Sequence, residues 1–128
     1  MSTVLLVEDE ELERRYLKSL LEKSSYDFQI IGEACNGREA IELCSKLNPD
    51  IIFMDIKMPG IDGLAATEII KKSNPQVRIL LLSAYDDFNY ARQAIKLGVS
   101  EYLLKPAQPD EILAALNSLA QENSVKLL

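Results

Sequence analysis

The chain has 128 residues, 48% of them hydrophobic, enough for one domain with a single well-buried core, and no internal boundary is expected. Its 20 acidic and 14 basic side chains leave a formal charge of −6, which argues against a grip on a phosphate backbone, so nucleic acid is not expected as a direct partner. The lack of histidine removes His-dependent triads, the commonest metal ligand and any phosphohistidine carrier role, leaving carboxylates, lysines and hydroxyls for chemistry.

Met1-Ser2-Thr3 leads at once into a first apolar strand over residues 3–7 rather than into a signal peptide. No run approaches the roughly 18 apolar residues of a membrane span, and a cytoplasmic chain without membrane contact is expected. The strand ends in Glu8-Asp9-Glu10-Glu11, and a helix follows with Leu12, Tyr16, Leu17, Leu20 and Leu21 at helical spacing. Phe28–Ala34 is a second strand, diluted by Gln29, Gly32 and Glu33 and so suited to a sheet edge. Asn36-Gly37 turns it into a helix carrying Ala40, Ile41, Cys44 and Leu47. Cys35 and Cys44 lack zinc spacing; reduced thiols are expected, with Cys44 acting as a small hydrophobe.

Ile51-Ile52-Phe53-Met54 is an apolar run without alternation, the mark of a strand buried on both faces, and it puts Asp55 at that strand's carboxyl end. Asp62-Gly63 precedes a helix with apolar positions Leu64, Ala65, Ile69 and Ile70, which Asn74-Pro75 closes. Residues 77–82 form a fourth strand ending at Ser83. Asp86 or Asp87 caps a helix with Phe88, Ala91, Ile95 and a terminal Gly98, and Glu101–Leu104 is a fifth strand ending at Lys105-Pro106. Pro109 opens the last helix, with Asp110 and Glu111 in its first turn and Ile112, Leu113, Leu116 and Leu119 on its apolar face. Residues 1–121 are expected as the domain, and 122–128 as a fraying helix end or the start of a linker to an output domain outside this chain.

Strands alternating with helices predict a parallel sheet covered on both faces through right-handed crossovers, a doubly wound, flavodoxin-like α/β fold. The most continuously apolar strands, the first, third and fourth, should be central, giving a five-stranded order 2-1-3-4-5. The first and third strands then meet at the topological switch point, where Glu8, Asp9 and Asp55 converge, with Ser83 and Lys105 on the same rim.

Three carboxylates in one crevice repel one another, so the fold must raise their pKa values or supply a cation. Mg2+ prefers hard oxygen ligands and is typically held by one or two carboxylates plus a phosphate, whereas zinc is excluded by ligand type. Glu10 and Glu11 are read instead as acids complementing a helix dipole. Taken singly, Lys105 is a solvated lysine and Ser83 a hydroxyl preceding a helix. Jointly, a carboxylate nucleophile, a magnesium pair, a hydroxyl and a lysine are what phosphoryl transfer needs, since it depends on positioning and on neutralising oxygen charge.

Val7-Glu8-Asp9-Glu10, the stretch from Met54-Asp55 through Ile61-Asp62-Gly63, Leu82-Ser83-Ala84 and Tyr102-Leu103-Leu104-Lys105-Pro106 together make residues 3–120 resemble a response regulator receiver domain of two-component signalling. The resemblance implies Asp55 as phosphoacceptor, direct Mg2+ binding by Asp9, binding through water by Glu8, and a further ligand from the Lys57 backbone carbonyl. It implies contact of Ser83 and Lys105 with phosphoryl oxygens, a cis Lys105-Pro106 peptide, and Ser83 and Tyr102 as switch residues. The implied partners are a sensor histidine kinase, an output DNA-binding domain beyond this chain, and a second copy on phosphorylation. Residues 83–91 further resemble receivers joined to AraC-type DNA-binding domains. By the same resemblance, Lys57 and Tyr85 flank the path of the hydrolytic water; a lysine offers only donors and a tyrosine adds bulk, so a phosphorylated state lasting hours is expected.

Other readings fit less well. A haloacid dehalogenase-like phosphatase also uses a strand-end aspartate with Mg2+, but it needs an acid two residues on, where Lys57 stands, and a cap domain. A degenerate receiver, acting as an interaction module without phosphorylation, typically loses an acid, the lysine or the hydroxyl, all present here; a stand-alone receiver remains an alternative. A flavin module would find four acids after the first strand repelling its phosphate. Catalysis is expected to be limited to Mg2+-dependent self-phosphorylation and slow self-dephosphorylation.

Overall fold

The structure, a computed structural model, describes residues 1–84 and 88–127, with side chains through residue 121. The elements are β1 (Ser2–Val7), α1 (Glu11–Lys23), β2 (Phe28–Ala34), α2 (Gly37–Leu47), β3 (Ile51–Asp55), α3 (Gly63–Ser73), β4 (Arg78–Ser83), α4 (Phe88–Lys96), β5 (Glu101–Leu104) and α5 (Pro109–Leu127). All four strand pairings are parallel and the order is β2-β1-β3-β4-β5, as predicted.

The unbroken apolar runs follow from a helical layer on each face of the sheet. Successive strand side chains point to opposite faces, so the runs divide by parity between two cores. Leu5, Val7, Ile52, Met54, Ile79 and Leu81 join Ala40, Cys44, Leu64, Ala66, Ile70 and Ala94 from α2, α3 and α4. Val4, Leu6, Ile51, Phe53, Leu80 and Leu82 join Leu17 and Leu21 of α1 and Ile112, Leu116 and Leu119 of α5. Burial of each large side chain contributes about 1.5–3 kcal/mol, which makes β1, β3 and β4 the stable frame from which their polar ends project.

The helices α1, α3 and α4 bury only part of the stripe that spacing alone predicts, whereas Ile112, Leu116 and Leu119 of α5 are buried as expected. In α1, Leu17 and Leu21 are buried while Leu12 and Tyr16 are exposed. In α3 the buried stripe is Gly63, Leu64, Ala66, Thr67 and Ile70, and Ala65 and Ile69 face outward. The α4 stripe is corrected most: Ala94 is buried, whereas Phe88 and Ile95 are 75% and 73% exposed. Leu47, at the end of α2, is also exposed. In α3 and α4 small residues, Gly63, Ala66 and Ala94, take buried positions beside exposed apolar neighbours. Thus Ala94, with its single methyl, brings the α4 backbone near the core.

Several local expectations hold. Asn36 and Asp62 accept from the backbone N–H groups of Glu39 and Ala65 and cap α2 and α3. Gly98 closes the α4 turn at a φ of 86°, in the left-handed region that favours glycine. Pro109 opens α5. The α5 helix runs from Pro109 to Leu127. β4 starts one residue later than expected because the Val77 N–H is held in a turn by the Asn74 carbonyl at 3.3 Å. Asp86 and Asp87, proposed as caps of α4, lie outside the described residues.

Candidate functional site

The carboxyl edge of the sheet gathers the polar strand ends. The β1–β2 ladder continues one residue past β1, the Glu8 N–H donating to the Ala34 carbonyl at 3.0 Å, so Glu8 enters the rim with its backbone fixed. Asp55 ends β3, and the next N–H, from Ile56, donates to the Leu82 carbonyl at 3.1 Å. Ser83 ends β4, and its carbonyl accepts from the Lys105 N–H at 2.7 Å, tying the β5 exit to the same rim. Gly63 completes the support. A Cβ at this position would lie 2.5 Å from the Asp55 carbonyl oxygen and 2.8 Å from the Ile56 Cα, so only glycine lets α3 begin directly on the peptide after the aspartate. Its N–H donates to the Ile56 carbonyl at 2.8 Å.

One carboxylate oxygen from each of Glu8, Asp9 and Asp55 lies within 4.8 Å of the others. Glu8 and Asp55 are buried, at 1% and 6% exposure, and Asp9 is half-buried. The Lys105 ammonium reaches both buried acids, at 3.4 Å from Asp55 Oδ1 and 3.5 Å from Glu8 Oε1. Ser83 is buried beside them at the end of the neighbouring strand. A cleft of about 530 Å³ opens here, lined in part by Asp9, Asp55, Lys57 and Lys105.

Crowding shows in the protonation equilibria. Glu8 is pushed up to about 7, chiefly because burial strips water from its carboxylate, with Asp9 and Asp55 adding to the rise while the Glu10 N–H and Lys105 oppose it. Burial also raises Asp55, and Lys105 holds part of that rise back. Burial works against the Lys105 ammonium, yet the charges of Asp55, Glu8 and Glu13 outweigh it and its pKa is raised. Lys105 is therefore a fixed positive charge, whereas Glu8 shares its negative charge reluctantly. A donor set made only of oxygens, too crowded to remain fully ionised unaided, suits a hard divalent cation such as Mg2+ and not zinc.

Most residues singled out in the sequence meet at this rim. The Lys57 side chain is exposed at the cleft, and the Lys105-Pro106 peptide is cis. Tyr102 does not line the cleft; it is half-buried opposite Leu81 and packs against the core formed with α2, α3 and α4. Tyr85 lies outside the described residues. Neither thiol is in a disulfide, and Cys44 is buried among apolar side chains as expected. The sequence reading passed over Arg14, whose Nη1 donates to the Glu8 carbonyl at 2.9 Å and whose Nε lies 3.4 Å from Glu33 Oε1. Its signal was a base just inside a helix start, where the dipole disfavours positive charge unless an acceptor holds it.

Fold and site define a flavodoxin-like domain with an acidic pocket at its topological switch point. The profile of the response regulator receiver domain matches residues 4–117, and the chain belongs to that family. It is 39% identical over 118 residues to the chemotaxis protein CheY of Thermotoga maritima, covering 92% of this chain and 97% of that protein. It is 36% identical to the transcriptional regulatory protein DegU of Brevibacillus brevis, covering 92% of this chain but only 50% of DegU. The transcriptional regulators it resembles are thus longer proteins, of which this chain spans the receiver part. Among solved structures, a chain of the CheX–CheY–BeF3–Mg2+ complex from Borrelia burgdorferi superimposes with a TM-score of 0.85 at 26% identity, covering 92% of this chain and 88% of that one. DegU is a transcriptional regulatory protein, in keeping with a resemblance to receivers of transcriptional regulators in general; nothing in these relatives points to an AraC-type domain in particular. No helix among the described residues is long and apolar enough to cross a membrane.

Proposed function

We propose that Asp55 accepts a phosphoryl group from a histidine of a sensor kinase, and that the resulting aspartyl phosphate changes the conformation of the domain. The observation that carries this reading is the contact of one lysine, Lys105, with both buried acids of a three-carboxylate cluster. An Asp55 carboxylate oxygen attacks phosphorus as the phosphorus–nitrogen bond of the donor breaks; the bonding pair leaves on that nitrogen, and the imidazole departs neutral if its other nitrogen carries a proton, or else takes one from solvent. Lys105 neutralises charge on the nucleophile before transfer and on phosphoryl oxygens after it, and the Ser83 hydroxyl donates to one of those oxygens. Asp9, Asp55, the Lys57 carbonyl and, through water, Glu8 would hold Mg2+, which when bound supplies further neutralisation of the phosphoryl oxygens. Likeness to a complex containing Mg2+ and BeF3 supports that assignment.

The downstream reading is transcriptional control through a DNA-binding segment in the same polypeptide, with pairing of two phosphorylated copies and no DNA contact by residues 1–121. The length of DegU relative to this chain supports it. Intact-protein mass spectrometry after treatment with acetyl phosphate and Mg2+ tests the central step. One phosphoryl group should be added to the native chain, and none to Asp55→Asn or in EDTA; efficient labelling of the Asn variant would sink the assignment.

A further inference from the structure

We infer that Arg14 is a positioning residue that holds the β1–α1 loop in the shape the metal ligands require, an inference that rests on the phosphoacceptor reading above. The loop carries two of the three clustered acids, Glu8 and Asp9, and their mutual repulsion with Asp55 favours its opening. Glu8 is fixed at four points. Its N–H donates to Ala34, its Oε2 accepts from the Glu10 N–H at 3.1 Å, its Oε1 faces the Lys105 ammonium at 3.5 Å, and its carbonyl accepts from Arg14 at 2.9 Å. Lys105 holds the carboxylate, whereas Arg14 brings a charged donor to the backbone, on the peptide that leads directly into Asp9.

The guanidinium is itself anchored. Its Nε pairs with Glu33 of β2 at 3.4 Å, Lys18 shares that carboxylate at 3.1 Å, and the Arg14 side chain is only 20% exposed. A planar fork that spans an edge strand and the loop carbonyl is something a flexible ammonium reproduces only in part. Arg14 thus links the loop to the sheet edge without touching the reacting atoms. Outer-sphere partners of this kind typically change metal affinity by about tenfold or more when removed.

Mg2+ titration by isothermal calorimetry at 25 °C, on native, Arg14→Gln and Arg14→Lys proteins, tests the inference. Arg14→Gln should bind about tenfold more weakly and Arg14→Lys should fall between the two. With acetyl phosphate, Arg14→Gln should label poorly at limiting Mg2+ and recover the native extent at saturating Mg2+. Purely structural support would lower the melting temperature in EDTA and leave the Mg2+ affinity of the folded protein untouched. Native affinity in Arg14→Gln, or a labelling defect that persists at saturating Mg2+, overturns the inference; if Arg14→Gln does not fold, native affinity in Arg14→Lys does so. Failure of the native protein to label on Asp55 while it binds Mg2+ would count against the phosphoacceptor reading instead, and leave the role of Arg14 in metal affinity to stand or fall on calorimetry.

Discussion

Glu8 is the residue in which folding and function conflict most openly. Its carboxyl has an ordinary value of 4.5 and sits at about 7 in the folded chain, so between those limits the native state keeps a proton that the unfolded state has released. Stability contributed by that proton is present below about 4.5, declines as pH rises, and is gone above about 7. Asp55, also raised, acts in the same sense. Glu39, lowered by hydrogen bonds from the Cys35 N–H and thiol, acts oppositely, losing stability as pH falls, but below the ordinary carboxylate value and so outside this window. In EDTA the melting temperature should therefore fall between pH 5 and 7.5, whereas Mg2+, by taking the proton's place, should flatten the decline. Glu8→Gln should be more stable than the native chain in EDTA at pH 8 and show a smaller Mg2+ response. A native profile in EDTA that rises through this range would mean that Glu8 is not held protonated by burial.

At the scale of elements, α3 meets β3 through Gly63. A methyl group there must displace either the helix start or the Asp55–Ile56 peptide, since the blocking atoms are backbone, and overpacking of this kind costs about 1–3 kcal/mol. Gly63→Ala should lower the urea midpoint accordingly and reduce the initial rate of Asp55 labelling by acetyl phosphate; native values for both would show that the contact can relax without cost. Glycine's role here was legible only as part of a turn motif, because a close approach between two elements leaves no periodic trace. The strands were read nearly to the residue because burial on both faces leaves unbroken runs such as Ile51–Met54 that no helical stripe imitates. The helices were harder. Leu12, Ile69, Phe88 and Ile95 match helical spacing as well as the buried residues do, and only the outline of the sheet decides which stripe is covered. The three acids were legible because strand order alone brings them together, while Arg14 escaped because its acceptor is a backbone carbonyl, which every residue carries.

Across the whole molecule, β4 stands between the acidic rim, at the ends of β1 and β3, and the half-buried Tyr102 on β5. Ser83 pairs in register with Leu104 and lies one strand over from Asp55, while Tyr102 pairs with Leu81 and packs on the core that includes α4. In the proposed switch a phosphoryl group on Asp55 would draw the Ser83 hydroxyl toward it and alter the β4 end. Tyr102 on β5 would then move inward and reshape α4, β5 and the start of α5. Such a switch needs both arrangements to exist beforehand, with the phosphoryl group making contacts in one that it cannot make in the other. Turning a 1:99 population into its reverse takes a differential of about 5.5 kcal/mol, more than one neutral hydrogen bond supplies, so in the proposed switch Lys105 and a bound cation would share the bias with Ser83. The exposed apolar side chains of Phe88, Ile95 and Leu104 lie on the elements expected to move and offer contacts that could be covered or redirected. On adding BeF3 and Mg2+, amide chemical shifts should change along Phe88 to Ile95 and at Tyr102 as well as beside Asp55, and Ser83→Ala should shrink the distant changes more than the local ones. Shifts confined to the neighbours of Asp55 would remove Tyr102 and α4 from the switch.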